Sequence, residues 1–227
     1  VFNANVTDIF RNEYLSPRSP YTTLQLPKQG IGEWCHPLKT ADIDDSGLRA
    51  AVRKGLLETK LGIPFRTPAE GHNIAFTSLW DNYPDSLEIP LKGKASRAYL
   101  LMAGSTNHMQ CHIDNGVIRI YYKDGTRDVM FLRNPDNWPP IEHIFFEDGL
   151  AFNRHTPALY RLRLKTGEIS NNFGEELGFP GASRELDGGA AVLLEMPLNP
   201  GKKLSHLVLE TLSNDVVIGL MSITLQR

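Results

Sequence analysis

The sequence predicts an all-β fold, an antiparallel β-sandwich of jelly-roll-like kind with an extended Pro-rich N-terminal arm. Three observations predict it. Short apolar runs recur at spacings of about 8 to 12 residues, with Gly, Pro, Asn and Asp between them. The runs are rich in Val, Ile, Leu and Tyr, the types that suit a pleated, half-buried surface. At most one stretch carries a helical period, and no self-similarity at 20 to 50 residues suggests a repeat fold. The expected division is an arm over 1–40 and a sandwich over 41–227.

VFNANVTDIF at the start is compatible with a short strand or a short helix, and Asn5-Val6-Thr7 matches the N-glycosylation pattern. Pro17, Pro20, Pro27 and Pro37 then exclude a long helix or a central strand. Tyr14, Leu15, Tyr21, Leu24, Leu26, Ile31 and Trp34 make the arm too apolar for a free linker. It is therefore expected to pack across this domain or a neighbouring one.

In GLRAAVRKGLLET, the spacing of Leu48, Val52 and Leu56 allows an amphipathic helix. Two strands about a Lys54-Gly55 turn are the preferred reading, because Gly55 would weaken a helix interior. Strands follow at Asn73 to Leu79 and Ser86 to Pro90, joined by the loop Trp80 to Asp85. Ala98 to Ala103, Val117 to Tyr122 and Val129 to Leu132 are expected to form the central antiparallel meander. Its turns contain Asp114-Asn115-Gly116 and Asp124-Gly125. The loop Asn134 to Glu142 comes next. Ala158 to Leu164 and Ala190 to Met196 read as strands on either side of a long irregular loop, Thr166 to Gly189. Leu204 to Thr211 and Val216 to Leu225 read as a closing hairpin about Asn214-Asp215.

A net charge of -2 and a pI near 6.4 with no basic patch argue against nucleic-acid binding. No apolar run is long enough to cross a bilayer as a helix. The chain opens on Val with no charged-then-apolar leader, so it is expected to be a processed product or a piece of a longer protein. Cys35 and Cys111 could form one disulfide, although buried thiols are the preferred reading.

Candidate chemistry lies in the loops. Asp81, Asp85, Asp136, Glu142, Glu147 and Asp148 supply carboxylates, of which glycoside hydrolysis would need a flanking pair. Trp80, Tyr83 and Trp138 offer flat faces beside Asp81, Asn137 and Glu142, the combination a sugar ring requires. The plainer reading has these rings plugging the ends of the sandwich, with Asp81 and Asn137 capping turns. His108 and His112 lie four apart beside Cys111, and Cys35-His36 repeats the pair. In strand and turn, however, that spacing does not converge on an ion, so no metal ligand is assigned. Asp42, Asp44 and Asp45 sketch a calcium pattern without the glycine and distant glutamate of an EF-hand loop, so no cofactor beyond a structural calcium is considered. Gly104-Ser105-Thr106 is not a nucleophile elbow.

WDNYPDS, AYLLMAGSTN, YYKDGT, NPDNWPPIE, GGAAVLLEMPLNP and VVIGLMSITLQR together resemble the C-terminal region of a family of large secreted proteins. These proteins come from polysaccharide-degrading gut bacteria. They are grouped as a domain-of-unknown-function family related to glycoside hydrolases, with a helical toroid followed by β-sandwich material. The resemblance spans most of 1–227 and implies location and context rather than chemistry. It implies a secreted, periplasmic or cell-surface protein that serves polysaccharide utilisation, and an arm that lies against a preceding domain. The expected function is a non-catalytic sandwich module that braces a catalytic domain and contacts carbohydrate through Trp80, Asp81, Tyr83, Asn137, Trp138 and Glu142. The alternatives are a stand-alone sandwich-fold glycosidase or lyase using Asp136 and Glu142, and a structural domain whose partner is another protein domain.

Overall fold

A computed structural model describes residues 1–9, 43–79, 83–106, 110–142, 144, 153–178, 186–214 and 216–227. The arm over 10–42 lies outside these residues, as do Trp80, Asp81, Asp42, Cys35, His108, Glu147 and Asp148.

The fold is mostly β, with two antiparallel sheets packed together as a sandwich. Twelve strands are described in chain order. They are β1 (Leu56–Glu58), β2 (Pro64–Arg66), β3 (Ala75–Ser78), β4 (Ser86–Pro90), β5 (Arg97–Thr106) and β6 (Gly116–Tyr122). The series continues with β7 (Arg127–Leu132), β8 (Arg161–Arg163), β9 (Ile169–Ser170), β10 (Ala190–Pro197), β11 (Leu204–Thr211) and β12 (Val216–Gln226). The larger sheet has the order β3-β12-β5-β10-β8-β9, the smaller β4-β11-β6-β7, and β1-β2 form a separate hairpin. Among the described residues no helix is long and apolar enough to cross a membrane.

The larger sheet is buried on both faces. Leu100, Met102, Val192, Leu194, Ile218 and Leu220 face the smaller sheet, meeting Ile118, Ile120, Leu132, Leu207 and Leu209. Their chain neighbours Leu101, Ala103, Ala191, Leu193, Val217 and Met221 face the other way, into a second core closed by Val6, Leu48, Leu57, Phe65, Ile74 and Phe76. Two buried faces explain why β5, β10 and β12 are apolar at consecutive positions, a pattern otherwise associated with parallel sheets. The smaller sheet is more exposed on its outer side, where Val129 and Phe131 stand on the edge strand β7.

One irregularity keeps β12 in step with both cores. Its pairing with β5 shifts between Leu220 and Ser222. Even-numbered residues face the smaller sheet before the shift, whereas Ile223 and Leu225 do so after it. An extra residue at a bulge reverses the side on which each side chain falls. The two-residue alternation of side chains along β12 is therefore broken at its centre.

Several expectations are corrected. The three runs from Ala98 to Leu132 do not form one meander, because β5 lies in the larger sheet while β6 and β7 pair in the smaller. β11 and β12 do not form a hairpin either: β11 pairs with β4 and β6, and β12 with β3 and β5. The chain instead passes from one sheet to the other between β11 and β12. Residues preceding the Lys54-Gly55 turn are helical, not extended, in α2 (Ser46–Ala51). Asp44 Oδ1 accepts the Ser46 amide at 2.9 Å and starts the turn. Gly47 lets α2 lie on the 165–166 backbone, since a Cβ there would sit 2.1 Å from Lys165 O. Lys54 and Gly55 do adopt positive φ, and β1 follows them. Among the described residues there are two further short helices, α1 (Val6–Ile9) and α3 (Phe173–Glu176). With β9, α3 gives structure to the long loop expected over Thr166 to Gly189.

The N-terminal residues clamp the second core through Asn73. This buried amide accepts the Val6 N–H at 3.0 Å and donates to Asp45 Oδ2 at 2.7 Å. Asn3 likewise exchanges two hydrogen bonds with the Phe76 backbone.

Tyr122 ties β6 to the β10–β11 connection. Its hydroxyl donates to Asp128 and accepts the Asn199 amide at 2.7 Å. Burial first, and the Asp128 carboxylate second, push the phenol up to about 12. In the unfolded chain a tyrosine ionises near 10. Between these values the unfolded state has lost a proton that the native state keeps, so stability falls as pH rises from about 10 towards 12. Urea unfolding across this range should show the decline, and Tyr122→Phe should flatten it. An unchanged slope in the variant would remove Tyr122 as its source.

Candidate functional site

The loop after β7 is built by its own side chains. Asn137 Oδ1 accepts the Arg133 amide at 2.7 Å and its Nδ2 donates to Phe131 O at 2.9 Å. The Asn137 and Trp138 amides both donate back to Arg133 O. This tight turn drives Trp138 inward. Its ring is 0% exposed, joins the inter-sheet core and lies on Gly104, where a Cβ would come 2.5 Å from it. Trp138 is thus a plug at the end of the sandwich, the plainer of the two arrangements its sequence allows. Burying the largest side chain gains more than displaying it.

The other described contacts are dispersed. Tyr83 is half-buried with its ring edge-on to Phe76 at 5.2 Å, and so belongs to the second core. Glu142 is 5% exposed and sits beside Arg161, also 5% exposed. Arg161 Nη2 donates to the carbonyls of Pro140, Ile141 and Ala190 at 2.7, 3.3 and 2.8 Å. Burial pulls its guanidinium down to about 10, partly opposed by the Glu142 charge, so it stays protonated at neutral pH. This pair anchors the loop end to β10 from within. Asp44 and Asp45, the described part of the calcium pattern, are engaged with Ser46, Arg49 and Asn73.

A surface cleft of about 490 Å³ opens beside this loop. β8 covers β10 only from Ala190 to Val192, and the cleft forms beyond, along Leu193 to Glu195. Tyr99 on β5 and Tyr160 before β8 line it, with Leu159 as apolar floor and Asp136, Asn137 and Glu195 as polar groups. Tyr160 is 38% exposed. Of the four described residues expected to contact a ligand, Tyr83, Asn137, Trp138 and Glu142, only Asn137 borders the cleft. Tyr99 and Tyr160 carry no site signal in the sequence, because each sits inside an apolar run that reads as core strand.

Asp136 also faces the other way. Its carboxylate lies between His112 and His155, with Oδ2 3.8 Å from His112 Nδ1 and Oδ1 3.5 Å from His155 Nδ1. The two rings are tilted, with centroids 4.6 Å apart. Cys111, the residue expected to accompany His112, is turned instead to Asn134, whose Nδ2 donates to its Sγ at 3.4 Å. His155 carries no signal in the sequence, because only the fold brings its polar loop to His112.

No family model, no curated protein and no solved structure matches the chain.

Proposed function

We propose that the chain is a non-catalytic β-sandwich module of a secreted, carbohydrate-active protein, which braces a catalytic domain and contacts glycan in the cleft beside Tyr99 and Tyr160. The observation that carries this reading is the cleft's lining. Two tyrosines, an apolar floor and three hydrogen-bonding side chains face a space of about 490 Å³, inside the range of roughly 300–1,000 Å³ usual for small-ligand sites. A sugar ring presents C–H groups on one face and hydroxyls round its rim, and that combination satisfies both. The motifs from WDNYPDS to VVIGLMSITLQR support the secreted, polysaccharide-related setting by resemblance. The proposed glycan contacts are Tyr99 and Tyr160, since Tyr83 and Trp138 pack in the cores.

The loop-carboxylate hydrolase has less support, because Glu142 is buried against Arg161 and does not border the cleft. Isothermal titration against plant and host oligosaccharides tests the proposal. At least one class should bind, and Tyr160→Ala should weaken it about tenfold or more, which is ~1.4 kcal/mol. Binding by no oligosaccharide at millimolar concentration would leave the bracing role alone.

A further inference from the structure

His112, Asp136 and His155 come from three separate stretches of chain, yet each brings one donor atom to within 4.8 Å of the others. The distances carry chemical information. The His–Asp separations of 3.8 and 3.5 Å both exceed the range of about 2.7–3.2 Å for an N–H···O hydrogen bond. Four-coordinate zinc holds nitrogen and oxygen ligands at about 2.0–2.2 Å, which places neighbouring ligands roughly 3.3–3.6 Å apart. The 3.5 Å separation lies in that range and the 3.8 Å one just above it, close enough for the three donors to meet round one ion after a small adjustment.

The backbone fixes this arrangement in advance. The His155 amide donates to Asp136 Oδ1 at 2.7 Å, and the Thr156 hydroxyl donates to Asp136 O. The His112 amide donates to Asn134 O at 2.8 Å, and Cys111 bridges to Asn134. His112 itself adopts a left-handed conformation, φ 56, which turns it out of the line of the preceding chain. Outer hydrogen bonds of this kind orient ligands at metal centres.

We propose that His112, Asp136 and His155 form a binding site for a divalent transition-metal ion of the zinc class. Two imidazoles and one carboxylate suit zinc and its neighbours, whereas calcium takes six to eight oxygens. Three protein ligands leave a coordination position open. The His155 side chain is 62% exposed and Asp136 borders the cleft, so that position faces solvent at the cleft's edge. The site shares Asp136 with the cleft but does not depend on carbohydrate binding, since the three ligands and their supports are all in place without it.

The test is titration of the chelator-treated chain with zinc chloride, followed by calorimetry, metal analysis and thermal unfolding. One equivalent should bind at micromolar concentration or tighter and raise Tm, and calcium chloride should do neither. Asp136→Asn and His155→Ala should each weaken zinc binding at least about tenfold, while His72→Ala, at an exposed histidine elsewhere, should not. His155 is too exposed for its loss to unfold the chain, and the cobalt(II) absorption spectrum of the unmutated protein reports coordination without any substitution. Absence of stoichiometric binding, or undiminished binding by both variants, would overturn the site.

Discussion

Trp138→Ala is expected to lower the free energy of unfolding by about 3–5 kcal/mol, the usual cost of removing a large buried aromatic side chain. Trp138 is wholly buried, and its ring fills the space above Gly104 at the end of the inter-sheet core. The site cannot collapse readily, because the Asn137 and Trp138 amides and the Asn137 side chain hold the turn to Arg133 and Phe131. Ile141 is tied in turn to Gly104 O at 2.8 Å. A cavity should therefore remain, and cavities add to the lost transfer energy. Urea unfolding followed by circular dichroism measures the change. A loss below about 1 kcal/mol would mean that the loop can close over the gap, and that its backbone hydrogen bonds do not fix it.

The second large effect is expected from Arg161→Met. It removes the donor that serves Pro140, Ile141 and Ala190 together, and takes the nearby cation from Glu142. Removing one member of a buried charged pair costs about 3–5 kcal/mol. Arg161→Lys should recover little of this, since one ammonium cannot reproduce the planar guanidinium's reach. The double variant Arg161→Met with Glu142→Gln should be less destabilised than the two single losses added together, because it leaves no carboxylate charge behind. Simple additivity in that cycle would show that Glu142 and Arg161 do not depend on one another.

These two residues also show what was legible in the sequence. The strands of the sandwich could be placed from local composition, because pleated, half-buried backbone selects β-branched and aromatic types wherever it runs. The partition of those strands between sheets could not. The runs Ala98 to Ala103 and Val117 to Tyr122 look alike and are neighbours in sequence, yet they lie in different sheets. Asn214-Asp215 has the chemistry of a hairpin turn, and nothing local distinguishes a turn within one sheet from a link between two. At α2, the helical period of Leu48 and Val52 was the correct signal. Gly55, which argued against it, lies beyond the helix end and serves the turn instead.

The candidate site was less legible for a related reason. Trp138 beside Asn137 is compatible with a displayed ring or a plug, and the direction of the ring depends on hydrogen bonds that no pattern of letters encodes. Tyr160 was hidden in an apolar run. In the sequence His112 stands out by its neighbours His108 and Cys111, whereas its partners in space are Asp136 and His155. Functional groups gathered from several loops leave no periodic trace, and that is the usual state of sites carried on loops above a rigid scaffold.

The sheet order has a bearing on how the chain is made. β12 lies between β3 and β5, and supplies Val216, Ile218 and Leu220 to one core and Val217 and Met221 to the other. On a ribosome, β3 and β5 emerge long before the strand that joins them. Until then each presents an open row of amides and carbonyls, the kind of edge that invites wrong partners. Neither core can close during synthesis ahead of β12, so both wait on the strand made last among those described.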